Sequence, residues 1–387
     1  MEDMNLIKSQ IVRAESLFTQ GKAEEALALL NTLDDTGEMG GLICFALGNV
    51  YLFMGQVALA EENYSLAIHK GFVDFKVYLN LAGVSLRLNR PEQAEQHYRQ
   101  ASELDPTDIR PLDMICKVRL DSGNIEGAKA IADEMMQRYP ALFEGFHHAL
   151  GFMLLEGRAE DALAFLDGIE QRFSAHPLYI TDRSNLLGKL GRAEEALRYL
   201  EEKQPFFSGE NVRMLYTMAR ARLLVLLGDH KQAEPLLSEL YTMLGDREAG
   251  FSLVGMAFER GDYPEAIRLA DELTGEDAPR DPIYITMLYL RAQASLELGE
   301  QAAAHEALEN IISTLDSAGD TISVEMRIMR VHALEELGRY EQAVSELDTI
   351  TGLIKERGED APQDISAMLE SIAGKRGEIA AKVGSFT

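Results

Sequence analysis

Ten times along this chain a helix-breaking residue is followed five positions later by an alanine. The pairs are Gly21/Ala26, Gly55/Ala60, Asn89/Ala94, Gly123/Ala128, Gly157/Ala162, Gly191/Ala196, Gly228/Ala233, Gly261/Ala266, Gly299/Ala304 and Gly338/Ala343. The breakers are 34, 34, 34, 34, 34, 37, 33, 38 and 39 residues apart. With alanine at roughly one position in ten, ten alanines in register have a chance on the order of 10⁻¹⁰. A fixed period in the thirties dictates stacked helical hairpins rather than one globular core.

The second unit shows the internal logic. Leu42, Phe45, Leu47, Val50 and Tyr51 recur at helical spacing, Gly55 stops that helix, and Ala60, Tyr64, Ala67 and Ile68 form the apolar stripe of the next. Ala60 must be small because two helices approach there. Seven residues before the breaker, small side chains recur on the first helix as Ala14, Gly48, Ala82, Cys116, Ser184, Ala221 and Ala292, and mark the same crossing from the other side. Gly37, Gly40 and Gly41 read as a flexible connection between helices. Longer connections are expected around 205–209, 275–282 and 317–319, where Gly, Pro and Asp collect.

These residues resemble the tetratricopeptide repeat family. Leu47-Gly48, Tyr51, Gly55, Ala60, Tyr64 and Ala67 carry the likeness in unit two. Tyr78, Leu81-Ala82, Ala94, Tyr98, Ala101 and Pro106 carry it in unit three, and Pro140 closes unit four. The resemblance implies an all-α fold, a right-handed superhelical solenoid of about ten hairpins over residues 5–355, with room for a bend near 203–213. The stretch 362–387 is expected to supply a C-terminal capping helix and tail over the last apolar face.

Charge and composition narrow the function. The net charge is −27, from 64 acidic and 37 basic residues, and such a surface repels phosphate backbones, so no nucleic-acid partner is expected. The opening MEDMNLIKSQ has no basic segment followed by an apolar run, and apolar runs such as that around Leu223–Leu227 are too short to span a bilayer. No membrane partner and a cytoplasmic location are expected. Cys44 and Cys116 read as small core residues. No nucleophile elbow, phosphate loop or dinucleotide fingerprint occurs. His147 and His148 are adjacent on a helix and diverge, whereas helical metal ligands stand four apart. No catalytic residue, metal or cofactor is expected, and the chain reads as a non-enzyme. Glu24-Glu25 and Glu194-Glu195 open second helices, where negative charge favours the N-terminus.

The family resemblance places the first helix of each hairpin on a concave groove. Ten before each breaker stand Ile11, Phe45, Leu79, Asp113, His147, Thr181, Met218, Phe251, Tyr289 and Ile328. This mostly apolar row is expected to be exposed and to mark an interaction surface. Around it fall Asn49, Lys76, Asn80, Arg110, Met114 and Lys117, so units two to four combine the apolar anchors Phe45 and Met114 with a basic spot in an acidic chain. The pattern partly resembles the carboxylate clamp of co-chaperone repeats: Asn49 and Asn80 match, Arg110 matches in charge, and Phe45 and Met114 replace two of its cations. Phe251, Phe258 and Tyr289 form a second candidate groove. Arg13, Arg183, Arg220, Arg291 and Arg330, all eight before a breaker, are expected to pair with acids on second helices. The expected function is a scaffold or adaptor holding a peptide or protein segment. The alternatives are a co-chaperone or secretion chaperone holding client chains, and a peptide-responsive regulator.

Overall fold

The computed structural model describes residues 2–33, 39–319, 322–356 and 371–379. Among these, every regular element is a helix. The order is α1 (Glu2–Thr19), α2 (Ala23–Leu30), α3 (Gly40–Phe53), α4 (Val57–His69), α5 (Phe75–Arg87), α6 (Pro91–Leu104), α7 (Arg110–Asp121), α8 (Ile125–Arg138), α9 (Glu144–Leu155), α10 (Ala159–Phe173), α11 (Pro177–Lys189), α12 (Ala193–Glu202), α13 (Glu210–Leu226), α14 (His230–Leu244), α15 (Arg247–Glu259), α16 (Tyr263–Leu273), α17 (Pro282–Glu297), α18 (Gln301–Ala318), α19 (Val324–Glu336) and α20 (Tyr340–Glu356). Each odd-numbered helix is followed across a breaker by the even one after it, which gives ten helix–turn–helix units.

The turn between partners has one physical cause throughout. All ten breakers sit at positive φ, from 57° at Asn89 to 79° at Gly21. In hairpin two the N–H of Gln56 donates to the carbonyl of Tyr51 at 2.9 Å, capping orphan carbonyls of α3. The equivalent bond follows every breaker. Asn89 takes the left-handed conformation because asparagine pays least for it after glycine. Past the turn, the ten register alanines are at most 1 % exposed. Opposite Ala60, Gly48 lies so close to the Tyr64 ring that an added Cβ would stand 2.5 Å from Cε1.

The chain divides into two compact units, residues 1–186 and 187–387. In the first, buried clusters run from Ile11, Ala26 and Ile43 through Tyr64, Val77 and Leu81 to Leu112, Ile115 and Met135. Phe143 closes the sequence among the rings of Phe146, Phe173 and Tyr179. In the second, one cluster joins α13–α17 around Leu237, Val254 and Leu269. Another joins α17–α20 around Ile285, Ile311 and Val331 and takes in Ile372 and Ile379. Residues 371–379 are helical, and their Arg376 and Lys375 pair with Asp348 at 2.6 Å and Glu335 at 2.8 Å. This stretch packs on the last hairpin; the rest of the expected capping region 362–387 lies outside the described residues.

Two expectations need correction. Gly40 and Gly41 are not a connection: they begin α3 and are buried, and a Cβ on Gly41 would stand 2.6 Å from that of Phe72. Their smallness permits a close crossing of chain segments. Gly37 lies outside the described residues. The row ten before each breaker is also not uniformly exposed, because Ile11 and Thr181 are 3 % and 6 % exposed and belong to the packing. Both cysteines are buried, as expected.

The arginine ladder forms as read. Arg183 pairs with Asp167 on α10, Arg220 with Glu201 on α12 at 3.3 Å, Arg291 with Asp271 on α16, and Arg330 with Asp316 on α18. Each reaches back to the second helix of the preceding hairpin and pins the stack one unit at a time. Arg13 sits in the first hairpin, which has no predecessor among the described residues.

Candidate functional site

Helices α3, α5 and α7 place the first candidate set on three successive hairpins. Asp74 caps α5 by accepting from the Lys76 N–H at 2.8 Å, which fixes where that helix begins. From there Asn80 comes beside Asn49: the Asn49 Oδ1 accepts from the Asn80 Nδ2 at 2.9 Å and from the Tyr64 hydroxyl at 2.8 Å. Burial pushes the Tyr64 phenol up to about 12, so it stays a donor at any physiological pH. Two filled lone pairs hold the Asn49 amide in one orientation. Its Nδ2 and the Asn80 Oδ1 remain without partners among the described residues.

Phe45 is half-buried, with its ring tilted on Tyr64 and Phe72 at 5.9 and 5.4 Å. Met114 is half-buried against the cluster around Leu112 and Ile115. The cations differ in freedom. Lys76 is exposed and has no ion pair among the described residues. Arg110 is held by Asp108 at 2.5 Å, with its guanidinium 5.9 Å from the Phe75 ring. Lys117 pairs with Asp113 at 2.7 Å. Thus Phe45, Asn49 and Asn80 come together, while Arg110 and Lys117 each carry a local acid, two and four residues away in the chain.

Asp113 leads to the adjacent histidines, whose partners the sequence reading did not name. Its other oxygen contacts the His148 Nε2 at 2.7 Å, and His147 Nδ1 lies 2.6 Å from Asp182 on α11. The adjacent histidines therefore diverge to opposite neighbours, α7 and α11. Burial works against the charged Asp113, but hydrogen bonds from His148 and Lys117 outweigh it and hold the carboxyl below its usual range. The bond to Asp182 raises His147 despite desolvation. The available signal was the register: Asp113 and His147 stand ten before their breakers, and His148 and Asp182 stand nine before theirs.

The second candidate set lies on α15 and α17. Phe251 is 37 % exposed, Phe258 is half-buried edge-on to Tyr263, and the Tyr289 ring lies tilted at 45° to that of His332, with centroids 6.0 Å apart. Among the described residues no three His, Cys, Asp or Glu side chains are grouped to hold a metal ion, and no helix is long and apolar enough to cross a membrane.

Comparison with known proteins bears on the fold. A family model described as tetratricopeptide repeat matches residues 45–109, and a second of the same description matches 9–32 and 214–239. These segments carry the turn glycines Gly55, Gly21 and Gly228 with their alanines. No curated protein matches the chain. Among solved structures, the crystal structure of the APC/C hetero-tetramer Cut9–Hcn1 is similar at 14 % identity and a TM-score of 0.50, covering 94 % of this chain and 83 % of that one. Yeast Tom70 is similar at 11 % identity and a TM-score of 0.48, covering 98 % and 96 %. A tetratricopeptide repeat protein from Parabacteroides merdae is similar at 14 % identity and 0.42, covering 76 % and 98 %. At such identities the first of these speaks for the fold alone. With repeat models matching these segments and ten units turning on one residue pair, the chain carries tetratricopeptide repeats, which support a protein-interaction scaffold in general.

Proposed function

We propose that the protein is a non-enzymatic adaptor that holds an extended peptide segment against α3, α5 and α7. The observation that supports this is the Asn49–Asn80–Tyr64 network. An extended backbone needs one donor and one acceptor side by side. The Asn49 Nδ2 and the Asn80 Oδ1, fixed on neighbouring helices, supply that pair without further ordering cost. Phe45 and Met114 offer apolar contact beside it. Lys76, Arg110 and Lys117 add positive charge for a carboxylate or acidic side chain of the same segment.

The partner is to be recovered by pull-down from native lysate with mass spectrometry, then titrated calorimetrically against variants. Asn49→Asp keeps the acceptor for Tyr64 and Asn80 but removes the outward donor, so affinity should fall about tenfold with folding intact. Phe45→Ala should cost about 1–3 kcal/mol of affinity, and also some stability because the ring rests on Tyr64 and Phe72. Arg110→Glu should weaken binding chiefly at low salt. Unchanged affinity in all three would move the contact off this face.

A further inference from the structure

The same register in the last three hairpins has the opposite charge. On α15, α17 and α19, counting thirteen, ten, nine, six, three and two back from the breaker, the charged residues are Glu248, Glu259, Glu297, Glu325, Glu335 and Glu336, with no lysine or arginine. On α3, α5 and α7 the same count gives Lys76, Arg87, Arg110 and Lys117 against Asp113 and Asp121. Between the late carboxylates runs an apolar face: Phe251, exposed, and Phe258, Tyr289 and Ile328, each half-buried with one side to solvent. We infer that this face of α15, α17 and α19 binds a cationic peptide segment, one that alternates lysine or arginine with aliphatic or aromatic side chains.

Three observations select that occupant. First, the arginines of these hairpins are spent elsewhere: Arg327 and Arg330 on Glu346, Arg291 on Asp271, Arg247 on Asp281 and Arg260 on Glu234. Of the six carboxylates, Glu248 is paired with Arg222 on α13 at 2.5 Å, Glu259 lies 3.7 Å from His230 and Glu335 is held by Lys375, while Glu297 and Glu336 have no cation partner among the described residues. Second, the chain itself seats a lysine here. Lys375, on the helical stretch 371–379, reaches Glu335 at 2.8 Å while Ile372 packs in the core beneath. That is an ammonium and an aliphatic side chain of one segment docked together on this end of the face. Third, the negative field reaches the aromatic row. Burial raises the Tyr289 phenol, and Glu336 and Glu335 raise it further. Acidic peptides and a second copy of a chain with net charge −27 are repelled from such a face.

The inference stands apart from the reading of α3, α5 and α7. The full chain is titrated by fluorescence anisotropy with three dye-labelled peptides: alternating lysine and leucine, alternating glutamate and leucine, and alternating lysine and serine. The lysine–leucine peptide should bind saturably, the glutamate–leucine peptide should not, and the lysine–serine peptide should bind about tenfold more weakly. Glu297→Lys and Glu336→Lys should each weaken the first about fivefold. Phe251→Ala should weaken it about tenfold at unchanged melting temperature. Glu306→Lys, the same charge change at an exposed position on α18, should leave it unaltered. Equal binding of the lysine and glutamate peptides, or equal loss in Glu306→Lys, overturns the inference, because bulk charge would then explain the result. Loss in Asn49→Asp with no effect of Glu297→Lys also overturns it, by assigning the peptide to the earlier hairpins.

Discussion

At the residue scale, His147 carries the most information that spacing alone did not reveal. Its Nδ1 hydrogen bond to Asp182 raises its pKa above the ordinary histidine value of about 6.5, against the opposing cost of desolvation. Asp113 adds in the same direction and Lys117 opposes. A histidine whose pKa is raised on folding binds its proton more tightly in the native state. Its stabilising contribution is therefore complete below about 6.5 and is lost as pH rises through the raised value. Imidazole resonances followed by NMR should show His147 titrating above the usual range, and Asp182→Asn should bring it back down. Between those two pH values the melting temperature of the wild type should fall with rising pH more steeply than that of Asp182→Asn. Equal slopes would mean that the pair forms without favouring the charged imidazole. Asn89 shows the converse, a residue wholly legible beforehand. It replaces glycine at a breaker position, and the backbone there is left-handed at φ 57°.

At the element scale, the hairpin is set by a stop and a small residue, and both are local. That is why the boundaries of α3 and α4, or of α5 and α6, follow from Gly55 and Asn89 with their alanines. The pairing of second-helix acids with Arg183, Arg220, Arg291 and Arg330 was legible for the same reason, since one register repeated. What spacing could not give was the cross-hairpin chemistry of single units. His148 meeting Asp113 on α7 and His147 meeting Asp182 on α11 depend on which side chains face each other across neighbouring hairpins, not on the period. Gly40 and Gly41 were misread because glycines mark turns by default, and only the closeness of Phe72 reveals the packing reason. The crossing itself is testable. Ala94 is fully buried between α5 and α6, so Ala94→Leu should destabilise the protein by about 1–3 kcal/mol through overpacking. Glu92→Gln, in the exposed first turn of α6, should change little. Urea melts that coincide for the two variants would contradict the crossing at Ala94.

At the scale of the whole molecule, stability is a sum of neighbours. Within each unit neighbouring hairpins bury their faces on one another, so an end needs a cover of its own. The sequence reading expects a capping helix within 362–387, and residues 371–379 of that stretch are helical and pack on the last hairpin. Ile372 and Ile379 are 7 % and 0 % exposed within the cluster of Leu347, Ile350 and Ile354. Arg376 and Lys375 add paired contacts to Asp348 and Glu335. These surface pairs are screened by solvent, so the apolar contact dominates. Removing the chain from residue 371 onward should therefore uncover Ile350 and Ile354 without unfolding hairpins that do not touch the cap. Circular dichroism should keep its helical signal, with a loss no larger than the deleted residues account for. Light scattering should show self-association through the new apolar end, and Ile350→Glu in the truncated chain should reverse it. If the truncated protein stays monomeric, or if Ile372→Glu in the full chain causes no association, the stretch 371–379 is not what keeps this end of the array soluble.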